Sequence, residues 1–361
     1  MKAIRLARPT DGSFVLEDIP TPAPGNGQVL VKVKAAGICG TDRHLWHWDE
    51  SIRDGLNPPF TPGHEFCGEV AEIGKNVSGW NVGDYVSCEM HVVCNRCAAC
   101  RNGAAHLCGN HKVVGMHQDG TFSQFVALPA SNLVKLPKTL SPKIGAFLDA
   151  LGNAVHTALS ADIPGRTVAI LGFGPIGAMT AAVAQFCGSG AIFITDVNSH
   201  NLARAKKWKT QCEAKAGRTL PIFIYDVRGE GRRAAITEIK RETGGDGCDV
   251  VLEISGAEVA INDGLEMLRP GGQMRLLGLT KNKSVQFANY NRDVVFKGVD
   301  MQGIFGRKIF DTWHKMLALL GGGLDVDFVV TDELPLEEFE TGLQKFDRGE
   351  AMKVVLYPNG I

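Results

Sequence analysis

Apolar and polar positions follow different rhythms in different parts of the chain. In the first 150 residues, short apolar runs such as 29–33 (VLVKV) and 67–73 (CGEVAEI) are separated by the turn-forming clusters PAPGNG, NPPFTPG and KNVSGWNVGD. Short runs bounded by Gly, Pro and Asn read as strands, so an irregular β-rich domain is expected here. Around Gly152 the texture changes. Residues 167–171 (TVAIL) form an apolar, β-branched run followed by glycines, and 178–186 carry a helical pattern. Further strand candidates lie at 191–195, 250–254 and 274–277. Strands alternating with helical stretches predict a doubly wound parallel sheet, so the fold class is α/β. Residues 310–320 (FDTWHKMLALL) read as one amphipathic helix. The spacing changes again after about residue 297, and the pattern alone does not assign the last sixty residues to either domain. There are no internal repeats or low-complexity tracts.

Composition narrows the function classes. The 361 residues suffice for two domains with sizeable cores, and 44% hydrophobic with 21% charged residues is ordinary for a soluble globular chain. A formal charge of -1 makes no electrostatic case for nucleic acid or an anionic membrane surface. The expected partner is therefore a small-molecule substrate, with no nucleic acid and no membrane. The start, MKAIRLARPTDGSF, lacks the apolar core of a signal peptide, and no run of about 18 apolar residues occurs, so a cytoplasmic protein is expected. Ten cysteines in such a chain argue for metal binding and free thiols rather than a disulfide framework.

The strongest local signal is Cys94-x2-Cys97-x2-Cys100-x7-Cys108. Four thiolates so close in sequence can wrap a tetrahedral Zn2+ and close its coordination sphere, leaving no position for substrate. An Fe–S cluster would favour other spacings. This site stiffens a loop; reactive chemistry must lie elsewhere.

A second set is dispersed: Cys39 in ICGTDRHLWHWDE, and His64 with Glu65 in PGHEFCGEV. Sulfur, imidazole and carboxylate together suit zinc, and three protein ligands leave a fourth position open. Taken singly, each residue has a plainer reading as an inert buried thiol or a satisfied structural side chain.

Gly172-Phe173-Gly174-Pro175-Ile176-Gly177 gives G-x-G-x-x-G directly after a strand candidate and at the start of a helical pattern. The first glycine permits the tight turn, the second lets a pyrophosphate approach the backbone, and the third packs helix against strand. The helix N-terminus then faces the phosphates. Asp196 ends the next strand nineteen positions past Gly177. A carboxylate there can accept from a ribose 2′-hydroxyl and would repel a 2′-phosphate, which favours NAD over NADP. The plainer reading of Asp196 is a helix cap.

Taken in order, GICGTD-x-H, PGHEFxGEV, the four cysteines and GFGPIG resemble the zinc-dependent medium-chain dehydrogenase/reductases over nearly the whole chain. Within that family, LGNAVHTALS, ITDVN and GIFGRKIFDTWHKM look like the bacterial L-threonine 3-dehydrogenases. The resemblance implies a GroES-like catalytic domain from 1–151 and 298–361 and a Rossmann domain from 152–297. It implies one catalytic zinc on Cys39, His64 and Glu65, a structural zinc on the four cysteines, and Asp149 near the catalytic metal as an outer or alternating ligand. Thr41 and His44 match the family's proton relay. NAD would meet Gly172, Gly174, Pro175, Ile176, Gly177, Asp196, the Leu277–Gly278–Leu279 backbone, and Ile304 and Phe305. His91 aligns with a histidine of the threonine enzymes and faces either the substrate or the zinc lobe; Trp48 joins it as a substrate-side candidate. The implied reaction is oxidation of the secondary alcohol of L-threonine to 2-amino-3-oxobutanoate by hydride transfer, and the implied assembly a homotetramer.

Two departures stand out. Those enzymes carry arginine five residues after the ribose acid, where this chain has Asn201; Arg204 and Lys206 are the nearby cations. Residues 207–225 also lack the usual helix–Gly-Ala–strand pattern. A polyol or secondary-alcohol dehydrogenase of the same fold is the alternative within enzymes. A catalytically silent nucleotide-binding protein is the alternative outside them, and the joint presence of Cys39, Thr41, His44, His64 and Glu65 argues against it.

Overall fold

The computed structural model describes residues 1–215, 220–282 and 284–360. The chain divides into two compact units, one of Met1–Ala150, Arg307–Leu317 and Val329–Ile361, the other of Leu151–Gly306 and Ala318–Phe328.

The first unit is built on a sheet whose strands run in the order Val330–Pro335, Lys353–Tyr357, Gln28–Gly37, Glu65–Ile73, Tyr85–Cys88, Leu133–Lys135, with Phe125–Pro129 also paired to Gln28–Gly37. The run at 29–33 sits inside Gln28–Gly37. Its Val29, Val31 and Val33 enter a core with Phe66, Val70, Val86 and Leu128, as alternate positions of a half-covered strand should. Two registers matter for function. Gly37 lies opposite Glu65 on one side and opposite Val355 on the other. Three strands from distant parts of the sequence are therefore side by side at the point where the chain leaves Gln28–Gly37.

It leaves into the short helix Gly40–Trp46, with Cys39 as the residue before its first turn. Asp42 reaches back, and its Oδ2 accepts the Cys39 backbone N–H at 2.9 Å. This reciprocal cap fixes the Cys39 backbone.

The second unit has a six-stranded parallel sheet in the order Ile222–Asp226, Ala191–Asp196, Thr167–Leu171, Cys248–Glu253, Leu268–Leu276, Asp300–Gly303. Each expected strand is present, and the helical pattern at 178–186 belongs to Pro175–Phe186. The sheet continues past residue 297, because the backbone of Asp300–Gly303 pairs in parallel with residues 273–276 of Leu268–Leu276. The helix expected at 310–320 forms as Asp311–Gly321, and the division between the units runs through it. In the unusual 207–225 stretch, the helix Ser199–Lys215 and the strand Ile222–Asp226 both form; residues 216–219 lie outside the described residues. Trp208 of that helix packs between Phe173 and Phe328, with both ring centroids 5.9 Å away. Among the described residues no helix is long and apolar enough to cross a membrane.

Candidate active site

In the first unit Cys39, His64 and Glu65 converge, with one ligand atom from each lying within 4.8 Å of the others. Cys39 stands at the helix start, and Glu65 begins the strand opposite Gly37. His64 and Glu65 are almost wholly buried. Neither Glu65 Oε1 nor His64 Nδ1 has a hydrogen-bond partner, although buried polar atoms are ordinarily satisfied. His64 also reports the local charge. Burial alone would lower its pKa, yet the Cys39 sulfur and the Asp42 carboxylate outweigh burial and push it up to about 10. A half-buried sulfur beside a buried imidazole and a buried carboxylate, each of the last two keeping an atom without a hydrogen bond, fits a cation with N, O and S ligands. Zinc is the borderline-soft ion such a mixed set suits.

The four-cysteine set passes its own test. Sulfur separations are 3.5 Å for Cys97–Cys100, 3.8 Å for Cys97–Cys108 and 3.5 Å for Cys94–Cys108. A tetrahedron with ~2.3 Å Zn–S bonds has edges of roughly 3.8 Å. Backbone N–H groups of Arg96 and Cys97 bring Cys94 down to about 6, whereas burial and the neighbouring Cys97 sulfur push Cys100 up, so the sulfur geometry is what favours a metal here. Among the described residues no disulfide is formed.

Thr41 Oγ1 lies 3.9 Å from Cys39 Sγ. His44, three positions on and therefore on the same helix face, pairs through Nδ1 with Asp49 Oδ2 at 2.9 Å and is about two-fifths exposed. Backbone hydrogen bonding from Ser51, joined by His44, lowers Asp49 to about 2.

Asp149 is not in the three-ligand set. Its carboxylate pairs with Arg307 at 2.7 Å, and its charge acts on both His64 and Glu65. His91 Nδ1 binds Glu89 Oε1 at 2.7 Å, and its ring meets His111 edge-on at 5.2 Å. Trp48, in a left-handed conformation (φ 48°), packs part-buried on the unit's core rather than lining a described cavity. Trp46 packs between Phe14 and Phe339, and His47 pairs with Asp11 and Asp347.

In the second unit a cavity of about 420 Å³ is lined by Gly172, Gly174, Pro175, Ile176, Gly177 and Asp196. Gly172 has φ 96°, and a Cβ on Gly177 would lie 2.0 Å from the Gly172 carbonyl oxygen. The turn thus demands both glycines. Asp196 Oδ2 accepts the Phe173 N–H at 2.6 Å and the Asn201 Nδ2–H at 3.1 Å, while Oδ1 accepts the Asn198 N–H at 2.7 Å. The carboxylate braces the loop and stands in the cavity wall, while the cap of the following helix is Asn198, whose Oδ1 accepts the His200 and Asn201 N–H groups at 2.8 and 3.2 Å. Leu277, Gly278, Leu279, Ile304 and Phe305 are not among the lining residues. The Leu277 and Gly278 N–H groups donate to the Glu253 carbonyl, and the Gly256 turn packs on Leu279.

Residues 25–138 match the alcohol dehydrogenase GroES-like domain, and residues 175–321 match the zinc-binding dehydrogenase domain. The L-threonine 3-dehydrogenase of Chelativorans sp. is 40% identical over 99% of this chain and 98% of its own. The chain belongs to the zinc-binding dehydrogenases. Among solved structures, a zinc-binding dehydrogenase from Sinorhizobium meliloti bound to NADP has a TM-score of 0.85 and 28% identity, covering 99% of both chains. The 2R,3R-butanediol dehydrogenase of Bacillus subtilis has a TM-score of 0.85 and 26% identity, again covering 99% of both.

Three charged residues of this dehydrogenase were not anticipated. Glu89 and Arg307 form a buried fork, Nε to Oε2 at 2.9 Å and Nη2 to Oε1 at 2.7 Å, to which Trp313 Nε1 adds a bond at 2.8 Å. Lys353, almost fully buried, pairs with Glu65 and donates to the Ile38 carbonyl at 2.9 Å. Burial works against the Lys353 ammonium, and Glu65 outweighs it. The one hint in the sequence was a lone cation in the otherwise apolar AMKVVLY.

Proposed function

We propose that this dehydrogenase uses zinc and NAD to oxidise the secondary alcohol of L-threonine to 2-amino-3-oxobutanoate. The substrate assignment is carried by the 40% identity, over 99% of the chain, to an L-threonine 3-dehydrogenase. The chemistry is supported by the convergence of Cys39, His64 and Glu65. In this reading the β-rich unit is the catalytic domain and the parallel-sheet unit the nucleotide domain.

Cys39, His64 and Glu65 would hold one zinc, and Cys94, Cys97, Cys100 and Cys108 a second. When bound, the first would supply Lewis acidity that makes a substrate hydroxyl acidic near neutral pH, and NAD would supply the hydride acceptor. The protein's own part is to move the proton and fix the geometry. Thr41 receives the hydroxyl proton and passes it to His44. That imidazole, partly exposed and paired with Asp49, delivers it to solvent. Asp149 and Arg307 shape the charge around the ligands, and His91 and Trp48 are assigned to the substrate side. Gly172, Gly174, Pro175, Ile176 and Gly177 would cradle the pyrophosphate and Asp196 would take the ribose hydroxyl, and Leu277, Gly278, Leu279, Ile304 and Phe305 would complete the nicotinamide end.

Asp196 is the residue that favours NAD, and Asn201, which donates to it, removes one cofactor contact that the threonine enzymes supply with an arginine. A cytoplasmic homotetramer completes the proposal; Phe296, 80% exposed, offers apolar surface for association, and light scattering tests the mass.

The second reading, a butanediol or polyol dehydrogenase, is favoured by the fold likeness to the butanediol enzyme. Steady-state rates with threonine, sorbitol, butane-2,3-diol and simple alcohols, each with NAD and NADP, separate the two. Robust polyol turnover without threonine turnover would reverse the assignment.

A further inference from the structure

We infer that Lys353 is the positioning residue for Glu65, and that it fixes how this carboxylate is presented to a metal held with Cys39 and His64. The inference rests on the metal reading above and concerns a residue outside every motif that led to it.

Lysine is almost never fully buried without a partner. Lys353 opens the strand Lys353–Tyr357, whose five residues are all buried. Its ammonium has two partners, the Glu65 carboxylate and the Ile38 carbonyl oxygen. Ile38 immediately precedes Cys39. One cation therefore ties together the backbone beside one proposed ligand and the side chain of another.

Space for this pair exists because residue 37 is glycine. A Cβ there would lie 2.7 Å from Glu65 Oε2 and 3.4 Å from Lys353 Cε. The strand registers that bring Gly37, Glu65 and the Lys353 strand together leave a slot the width of this ion pair. Lys353 forms its ion pair at Oε2; neither oxygen accepts a hydrogen bond among the described residues, and Oε1 has no ion pair either. A carboxylate pinned by one oxygen and open at the other is pre-oriented for single-oxygen ligation. Outer groups that hold a ligand in this way commonly contribute ~10–100-fold to metal affinity. An ammonium near a divalent cation gains nothing from direct charge, so its contribution there is geometric.

The test uses zinc-loaded full-length protein, wild type and Lys353→Met, dialysed against graded chelator with zinc counted per chain. The four-cysteine zinc is the internal reference. Lys353→Met is expected to release the other zinc at ~10–100-fold lower free chelator while keeping the reference zinc. Cobalt(II) loaded in place of that zinc should show shifted visible bands. In a Glu65→Gln background, Lys353→Met should change neither retention nor spectrum further, because the two residues act as a unit. That double variant also removes both charges of the buried pair, and so guards against misfolding of the single one. Equal zinc retention and an unshifted cobalt spectrum in Lys353→Met would overturn the inference, as would simultaneous loss of both zincs. A wild-type chain that holds only the four-cysteine zinc would instead overturn the metal reading, and the inference with it.

Discussion

At the scale of single residues, Asp196 carries the sharpest constraint, because one carboxylate serves the loop and the cavity together. Phe173, Asn198 and Asn201 all donate to it. Asp196→Asn keeps an acceptor for the Phe173 N–H but removes the charge. We expect the fold to survive and NAD to be favoured over NADP ~10-fold less, about the worth of one charge-assisted hydrogen bond; the ratio of kcat/KM values checks it. In the helix Gly40–Trp46, His44→Ala should lower kcat by ~100-fold or more, the usual contribution of a proton-transfer group, with KM changed little. Cys39→Ser should abolish turnover and leave near-native circular dichroism. Full activity in that variant would remove the sulfur from the mechanism. Cys39, Thr41, His44, His64 and Glu65 were legible because each lies in a short contiguous motif. Asn201 was visible only as a departure, since its bond to Asp196 is a matter of helix geometry.

At the scale of elements, the strand end after Tyr85–Cys88 meets the segment leading into Asp311–Gly321 through Glu89, Arg307 and Trp313. Burial would raise Glu89, but Arg307 first and His91 next hold it well below the usual carboxylate range. A folded-state value below the unfolded 4.5 means the stabilisation is complete above pH 4.5 and is lost as pH falls further. Arg307→Met leaves Glu89 buried without its guanidinium, held only by His91 and Trp313, and should destabilise by about 3–5 kcal/mol at pH 7. Thermal unfolding between pH 7 and pH 3 checks both statements, because the gap between variant and wild type should narrow only on the acid side. None of this was readable beforehand. Glu89 and Arg307 are 218 positions apart, and residue type says nothing about a partner so distant. The parallel strands, by contrast, were legible because a strand buried on both faces writes itself as a continuous apolar run.

For the whole molecule, the proposed function predicts about two zincs per chain, released in two steps. The open three-ligand site should empty first, with loss of activity and little change in circular dichroism. The four-cysteine site should empty later, with a drop in melting temperature, because its metal holds a loop poor in core residues. A single-step loss, or activity surviving the first step, would contradict the assignment of roles. The two-domain α/β plan was legible from the change in rhythm near Gly152, because hydrophobic period is a local property of sequence. The exact path of the last sixty residues was not. They contribute to both units, with Asp300–Gly303 in one sheet and Lys353–Tyr357 in the other.

The sequence by itself determined the candidate ligand types, their order, the glycine-rich loop and the alternation of strands and helices. All of these are written within a few consecutive residues, where spacing dictates which side chains and N–H groups can meet. Only the tertiary structure decided what surrounds them: Lys353 on Glu65, Arg307 between Glu89 and Asp149, and Gly37 as the space for a buried pair. Those contacts arise from the pairing of strands hundreds of residues apart, and strand pairing is set by the collective burial of apolar faces rather than by any local motif.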